Sequence, residues 1–354
     1  MIKKFVIIFC CFIVFFIIFL AVILSIFEYR PEPVQNVPFS SGNVLLEKKS
    51  KYSLVTWNIG YAGLGKESDF FISGGKDVRP SKKLSSEYFE GIKNTLTDIS
   101  AEIVFLQEID VNSHRSYNVN HFEGIKSFLN TNGAFGYSYK CIFVPFPFPP
   151  MGRVESGVAT FSNFETVSAE RYSLPVLFKW PFRTANLKRC FLVSKIPVYD
   201  GETPTGKYLV LVNFHLEAFD SGKAKVEQTK RLMEYLVSEY EKGNYVIAGG
   251  DFNQTFPGAK EFPFIGTDSW LPGKLEKSSL QNGWDYCFDD SAPSCRSTCA
   301  PYIGEDAEKH NWQYYLIDGF IKSPNVEIVA VKTFDKNFEF SDHNPIYLEF
   351  SLDE

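Results

Sequence analysis

The amino-acid sequence predicts an α+β fold, with β-sheets at the centre and helices outside them, preceded by one transmembrane helix. Three observations predict it. Short apolar, β-branched runs outnumber the helical patterns, the helical patterns fall singly between those runs, and an uncharged apolar segment opens the chain of 354 residues. With 45% hydrophobic and 22% charged residues, the composition excludes a small disulfide scaffold, a collagen-like fibre and a disordered acidic tail.

The apolar segment comes first. Phe5 to Phe27 contains no charge, Pro or Gly, and Lys3 and Lys4 precede it. At 1.5 Å per residue it reaches about 35 Å, enough to cross a hydrocarbon core of roughly 30 Å. It is longer than the apolar region of a signal peptide and no small-residue cleavage site follows, so an uncleaved signal anchor is expected over 5–27. The paired lysines keep residues 1–4 cytoplasmic and send the large domain to the extracytoplasmic side. Residues 28–50, with Arg30-Pro31-Glu32-Pro33 and Ser40-Ser41-Gly42, read as a linker. Residues 51–354 read as one large mixed domain.

Within that domain the expected strands are Tyr52 to Trp57, Ile103 to Leu106, Gly157 to Phe161, Tyr208 to Phe214, Tyr245 to Ala248, Tyr315 to Ile321 and Ile346 to Phe350. Leu84, Tyr88, Ile92 and Leu96 recur every four residues and predict a helix, with Ser85 or Ser86 as its N-cap. A second helix is expected over Lys223 to Glu241, its apolar face formed by Val226, Leu232, Met233, Leu236 and Val237. Polar residues sit at the strand ends: Asn58, Glu108, His215 and Asp251 follow strands, and Asp342 and His343 precede the last one. Such residues can converge on one edge of a rigid scaffold and build a site there.

Charge and cysteine usage narrow the chemistry. The formal net charge is −6, and the first thirty residues hold +2, which leaves −8 on the rest. A domain that acidic has no global field for a polyanion, so a phosphate substrate needs a local positive centre such as a divalent cation. Outside the helix lie Cys141, Cys190, Cys287, Cys295 and Cys299, and an exported domain permits one local disulfide among the last three. Their spacing, even with His310, matches no zinc site. His114, His121 and His310 sit in polar, loop-like sequence and read as surface residues.

Seven motifs occur in order: Thr56-Trp57-Asn58, Phe105-Leu106-Gln107-Glu108, Ser156-Gly157-Val158-Ala159-Thr160, Asn213-Phe214-His215-Leu216, Gly249-Gly250-Asp251-Phe252-Asn253, Ile317-Asp318 and Ser341-Asp342-His343. The set resembles the endonuclease/exonuclease/phosphatase superfamily, with its DNase I-like fold, over essentially the whole soluble part. The resemblance implies a four-layer α/β sandwich, two packed β-sheets flanked by helices, with the site at one end of the sheets. It implies that Glu108 is the main metal ligand and that Asn58 and Asp342 complete the metal environment. It also implies that His343 and Asp318 form a catalytic dyad and that Asp251 positions or deprotonates the attacking water. Asn253 would then donate to the phosphate, and His215 would contact a phosphate oxygen.

Elementary chemistry supports the grouping. Attack on a phosphorus shielded by negative oxygens needs a hard cation, and an oxygen-rich set without thiolate favours Mg²⁺ or Mn²⁺ over zinc. Two departures from the family pattern stand out. Gly319 follows Asp318 where many relatives place a bulky residue, and Ile59-Gly60 follows Asn58 instead of the Asn-x-Asp arrangement of abasic-site endonucleases. His215-Leu216-Glu217-Ala218 is similar to a segment of neutral sphingomyelinases. The expected protein is therefore a membrane-anchored, metal-dependent phosphoesterase using activated water. Its substrate would be a lipid headgroup, a small phosphoester or a nucleic acid, with a surface nuclease and a sphingomyelinase-like lipid phosphodiesterase as alternatives. A catalytically inactive binding module would be expected to lose one of Glu108, Asp251, Asn253, Asp318 or His343, and all are present. No protein partner is expected.

Overall fold

Unbroken apolar runs become the central strands of two sheets, because only a strand covered on both faces can bury every side chain. The computed structural model describes residues 2–48, 50–219, 223–266 and 270–352. Met1 of the expected cytoplasmic stretch, Lys49 of the expected linker and Asp353 and Glu354 of the expected domain lie outside them. In chain order the elements are α1 (Ile2–Ile26), β1 (Val34–Asn36), β2 (Leu46–Glu47), β3 (Lys51–Asn58), α2 (Lys82–Ile99), β4 (Ile103–Asp110) and α3 (His121–Phe128). Then follow β5 (Asn132–Val144), β6 (Gly152–Ser162), β7 (Ser168–Ser173), β8 (Cys190–Asp200), β9 (Thr203–His215), α4 (Lys223–Glu241) and β10 (Tyr245–Asp251). The last are β11 (Gln254–Thr255), β12 (Gly273–Lys274), β13 (Asp285–Cys287), β14 (Cys295–Arg296), α5 (Glu305–Glu308), β15 (Tyr314–Tyr315), β16 (Asp318–Lys322), β17 (Val326–Thr333) and β18 (Ile346–Leu352).

One sheet has the order β17-β18-β3-β4-β6-β5, the other β1-β7-β8-β9-β10-β16-β13 with β2 added to β8. Their inner faces meet in a core where Leu54, Phe105 and Leu348 of the first pack with Leu211, Ile247 and Phe320 of the second. Tyr88, Ile92 and Leu96 of α2 and Ile125 of α3 cover the outer face of the first sheet. Leu232, Met233 and Leu236 of α4 cover the second. The result is the expected four-layer arrangement, helices outside and two sheets within.

Several local expectations are corrected. The cap of α2 is Ser81, whose hydroxyl accepts from the Leu84 N–H at 3.2 Å, so Ser85 falls inside the helix. Val226 is 65% exposed, and the buried face of α4 instead follows Ala224, Gln228, Leu232 and Leu236. The run expected as one strand over Tyr315 to Ile321 divides into β15, paired with β14, and β16, paired with β10. No disulfide forms: Cys287 is buried in the inter-sheet core, Cys295 lies beside His343, and both are free thiols, as is Cys299.

The segment read as a linker is sheet edge. β1 pairs antiparallel with β7, β2 pairs parallel with β8, and Leu46 is fully buried. The backbone groups between the prolines satisfy an edge that would otherwise stand open. The end of α1 is fastened as well. Leu24 packs with Tyr139, Val144 and Met151, and Trp180 Nε1 donates to Ser25 Oγ at 2.9 Å. The buried Glu28 carboxylate meets Arg30, Arg183 and Lys188 at 3.0, 3.2 and 3.5 Å.

His121 is not a surface residue. It is 1% exposed, stacks on Phe89 with ring centroids 4.4 Å apart, and leaves Nδ1 without a partner. Burial pushes its imidazole down to about 4. Between pH ~6.5 and that value the unfolded chain takes up a proton that the folded one refuses, so stability falls on acidification by up to roughly 1.4 kcal/mol per pH unit. His121→Phe should shallow this slope when chemical unfolding of the full chain is compared at neutral and mildly acidic pH. An unaltered slope would show that His121 contributes nothing to it.

Candidate active site

Strand register brings the polar residues together. β9 runs parallel to β10 and pairs His215 with Asp251, while β16 runs antiparallel on the other side and pairs Asp318 with Asp251. Three functional side chains thus stand in one row across a sheet end. Gly250 permits the close approach: a Cβ there would sit 1.9 Å from the Phe214 carbonyl oxygen. On the other sheet Asn58 pairs with Gln107, and Glu108 follows inside a bulge where the β4–β6 register shifts. Glu108 has φ +52° and Asn253 has the same value, left-handed conformations that strain a residue with a side chain. Bulges of this kind re-aim a side chain.

The loop carrying Asp342 and His343 is pinned over β3. Trp57 Nε1 donates to the His343 carbonyl at 2.8 Å, and the Ser341 hydroxyl donates to the Asn58 carbonyl at 2.8 Å. Asn58, Glu108, His215, Asp251, Asn253, Asp342 and His343 all line one cavity of about 710 Å³. Asp318 stands behind His343, its Oδ2 accepting from His343 Nδ1 at 2.8 Å and from the Ser294 hydroxyl at 2.7 Å. All eight residues expected from the sequence are therefore gathered at one place.

Asp251 is the hub. Its Oδ2 accepts from Asn58 Nδ2 at 3.0 Å and lies 3.3 Å from His215 Nε2 and 3.8 Å from His343 Nε2. Its Oδ1 accepts from the Asn253 backbone N–H at 2.8 Å. Burial, reinforced by the charge of Asp318, raises the Asp251 carboxyl to about 7. The two histidines diverge. Burial, with Arg189, His343 and Arg115 nearby, pushes His215 well below its ordinary range. Burial would push His343 down too, yet the Asp318 carboxylate holds it well above. A neutral imidazole, a cationic imidazole and a near-neutral carboxyl side by side can divide acid and base roles. The Asn253 side-chain amide donates to the Leu216 carbonyl at 3.0 Å, so one of its two protons stays free for another acceptor.

Glu108, Asn58 and Asp342 make up a donor set open to a divalent cation. Asp342 is pushed up to about 6 by burial, with the Glu108 charge adding to the effect against His343 and Arg296. Glu108 and Asp342 share the cavity with Asn58, an oxygen-only set in which the repulsion of the two acids would be relieved by a hard cation, so the residues fit Mg²⁺ or Mn²⁺. Among the described residues the Asn58 oxygen accepts only the Gly60 N–H, at 3.1 Å, and keeps a second lone pair. Asp251, Asp318 and His343 also place ligand atoms within 4.8 Å of one another. Because Asp318 and His343 are already bonded, that trio reads as a dyad against a carboxylate.

One residue escaped the sequence analysis. Arg189 lines the same cavity, is 4% exposed, and leaves Nε and Nη1 without a hydrogen-bond partner. An unpaired buried guanidinium costs several kcal/mol unless an anion meets it. Arg189 is therefore placed to receive an oxyanion. Its signal in the sequence was the pair Lys188-Arg189 directly ahead of an apolar run. Arg115 lines the cavity too, but Asp110 engages it at 3.1 and 2.9 Å and it stacks 3.8 Å over Tyr61.

Comparison with known proteins agrees with this geometry. The model of the endonuclease/exonuclease/phosphatase family matches residues 55–343. An endonuclease/exonuclease/phosphatase from Beutenbergia cavernae superposes with a TM-score of 0.56 at 16% identity, covering 86% of this chain and 72% of that one. One from Bacteroides vulgatus gives 0.55 at 17%, covering 86% and 100%. ANGEL2, a 2′,3′-cyclic phosphatase in complex with adenosine-2′,3′-vanadate, gives 0.53 at 14%, covering 92% and 100%. Identities this low carry the fold alone. No curated protein matches the chain.

Asp318→Asn removes the charge that keeps His343 protonated. The His343 imidazole is then expected to titrate at least about one pH unit lower, followed by histidine NMR of the full chain. The same titration in both proteins would contradict the pairing.

Proposed function

The chain belongs to the endonuclease/exonuclease/phosphatase family, and from that premise we propose a membrane-anchored, divalent-metal-dependent phosphoesterase that works by attack of an activated water. The proposal places the anchor at residues 5–27 and the catalytic domain, which takes in β1 and β2 besides residues 51–354, on the extracytoplasmic side. The observation that carries it is the Asp251 hub, a buried carboxylate that meets donors from both sheets at one end of the cavity.

The residues divide the work. With its carboxyl raised to about 7, Asp251 is matched to take a proton from water near neutral pH. His215 and Asn58 orient that carboxylate through Nε2 and Nδ2. His343, kept cationic by Asp318, offers Nε2 to a phosphoryl oxygen and stabilises the charge that builds there. Arg189 and the free amide proton of Asn253 hold the remaining non-bridging oxygens. Glu108, Asn58 and Asp342 would hold Mg²⁺ or Mn²⁺, which when bound supplies Lewis-acid neutralisation of phosphate charge. The −8 balance outside the first thirty residues, together with anchoring, favours lipid headgroups or small phosphoesters over long DNA.

The full chain in detergent should hydrolyse a phosphodiester with Mg²⁺ and stop with EDTA. Asp251→Ala and His343→Ala should each lower the rate by about 10²–10⁴-fold. Activity untouched by both substitutions would reject the mechanism. Arg189→Leu should chiefly raise KM, by about tenfold or more, as expected for a lost charge-assisted contact to the phosphate. An unchanged KM would remove Arg189 from the site.

A further inference from the structure

The cavity joins a polar site to a larger apolar vestibule, and the vestibule wall includes α1. Ile17, Leu20, Ala21 and Leu24 of α1 line the same space as His215, Asp251 and His343. Ile17 lies nine residues before the last residue of α1, about 14 Å along its axis. The vestibule therefore reaches well into the depth that a spanning α1 gives to hydrocarbon. Phe71, Phe146 and Phe182 line the same space.

The rim continues the apolar surface outward. Phe146, Phe148, Trp180 and Phe182 are 68%, 95%, 61% and 75% exposed, on two loops beside the end of α1. Lys179-Trp180-Pro181-Phe182-Arg183 interleaves cations with aromatics on a domain that is otherwise acidic. Such a sequence suits a headgroup layer, where aromatic rings take the acyl boundary and cations take lipid phosphates. Trp180 is itself bonded to Ser25, and the Glu28 ion pairs fix the helix against the domain. The vestibule wall thus includes a helix that these contacts hold against the domain.

We propose that the site takes its substrate from the bilayer around α1: a phospholipid whose headgroup phosphoester reaches Arg189 and His343 while its hydrocarbon lies between α1 and the aromatic loops. This rests on the phosphoesterase reading and names its substrate class. Two ends of one cavity match two ends of one molecule. The inner end presents a buried guanidinium with unpartnered Nε and Nη1, and the outer end presents the aliphatic carbon of α1 and the aromatic carbon of Phe71, Phe146 and Phe182.

The test uses the full chain in vesicles of phosphatidylcholine, phosphatidylglycerol, phosphatidylinositol and sphingomyelin, beside the water-soluble substrate bis-p-nitrophenyl phosphate. The wild type is expected to hydrolyse at least one vesicle lipid. In the double variant Phe146→Ser, Phe182→Ser, whose positions are exposed, the ratio of lipid to soluble hydrolysis should fall by about tenfold or more. In EDTA, a phospholipid with a diazirine in its acyl chain should label the 143–151 and 176–187 peptides, and the double variant should lose that label. Hydrolysis of the soluble ester or of DNA without any lipid cleavage or labelling overturns the lipid proposal and leaves the phosphoesterase reading intact. An unchanged ratio together with unchanged labelling overturns it too. Cleavage of no phosphoester under any condition overturns both.

Discussion

The buried carboxylate of Asp251 constrains the rest of the molecule. A charge at this depth is tolerated only when donors surround it, and here they come from both sheets. Asn58 reaches it from β3, while His215 and the Asn253 backbone reach it from the β9–β10 side. The two sheets can supply those donors only if their ends meet in one register. The parallel pairing of His215 with Asp251, the absence of a Cβ at Gly250 and the left-handed Asn253 are conditions for that meeting. The strain at Glu108 belongs to the same account. A bulge lifts its carboxylate out of the β4 ladder and into the cavity, at a conformational cost of order 1–3 kcal/mol that the surrounding packing holds in place.

Charge is arranged locally because it cannot be arranged globally. The domain outside the first thirty residues carries −8, yet the cavity sets Arg115, Arg189, Arg296 and His343 among Glu108, Asp251 and Asp342. At short range and low dielectric such a cluster outweighs distant surface acids, which solvent screens beyond about 10 Å. The same cluster separates the two histidines, which burial alone would have made alike. Burial, helped by the Arg189 charge, holds His215 well below its ordinary range, whereas the Asp318 carboxylate holds His343 well above. Acid and base functions are then set by neighbours and not by residue type.

Much of this was legible in the sequence, and the rest was not for physical reasons. The central strands were readable because burial on both faces leaves continuous apolar runs; Asn58, Glu108, His215 and Asp251 stood out because they follow those runs, and the roles of all eight site residues came from the family resemblance. Edge strands were not. β5 spans Asn132–Val144 with Gly, Tyr, Ser and Lys among its residues, and only its pairing to β6 makes it a strand. β1 and β2 hide in a Pro-containing stretch for the same reason. His121 looked polar in sequence, but stacking on Phe89 is a tertiary contact that no local pattern encodes. Arg189 was passed over because a cation before a strand is ordinarily solvated, and only the cavity reveals that its donors have no partner.

How α1 joins the domain decides what the proposed anchor does. A free linker over 28–50 would let the domain wander by about 25 Å, from the 5–6 Å × √n reach of a flexible chain, and the site's distance from the membrane would then be a distribution. The structure removes that freedom through β1 and β2 in the sheet, Glu28 among three cations and Leu24 in an apolar cluster. The Glu28 contacts to Arg183 and Lys188 and a sheet edge are costly to break together, which ties the end of the helix to the domain. On the proposed reading, the cavity mouth then keeps a fixed height above the hydrocarbon. Fixed height matters for a substrate that is itself held at a fixed depth, because the search for a productive encounter becomes two-dimensional. A soluble phosphoester would gain nothing from that restriction, which makes the fastening of α1 and the apolar vestibule two parts of one design.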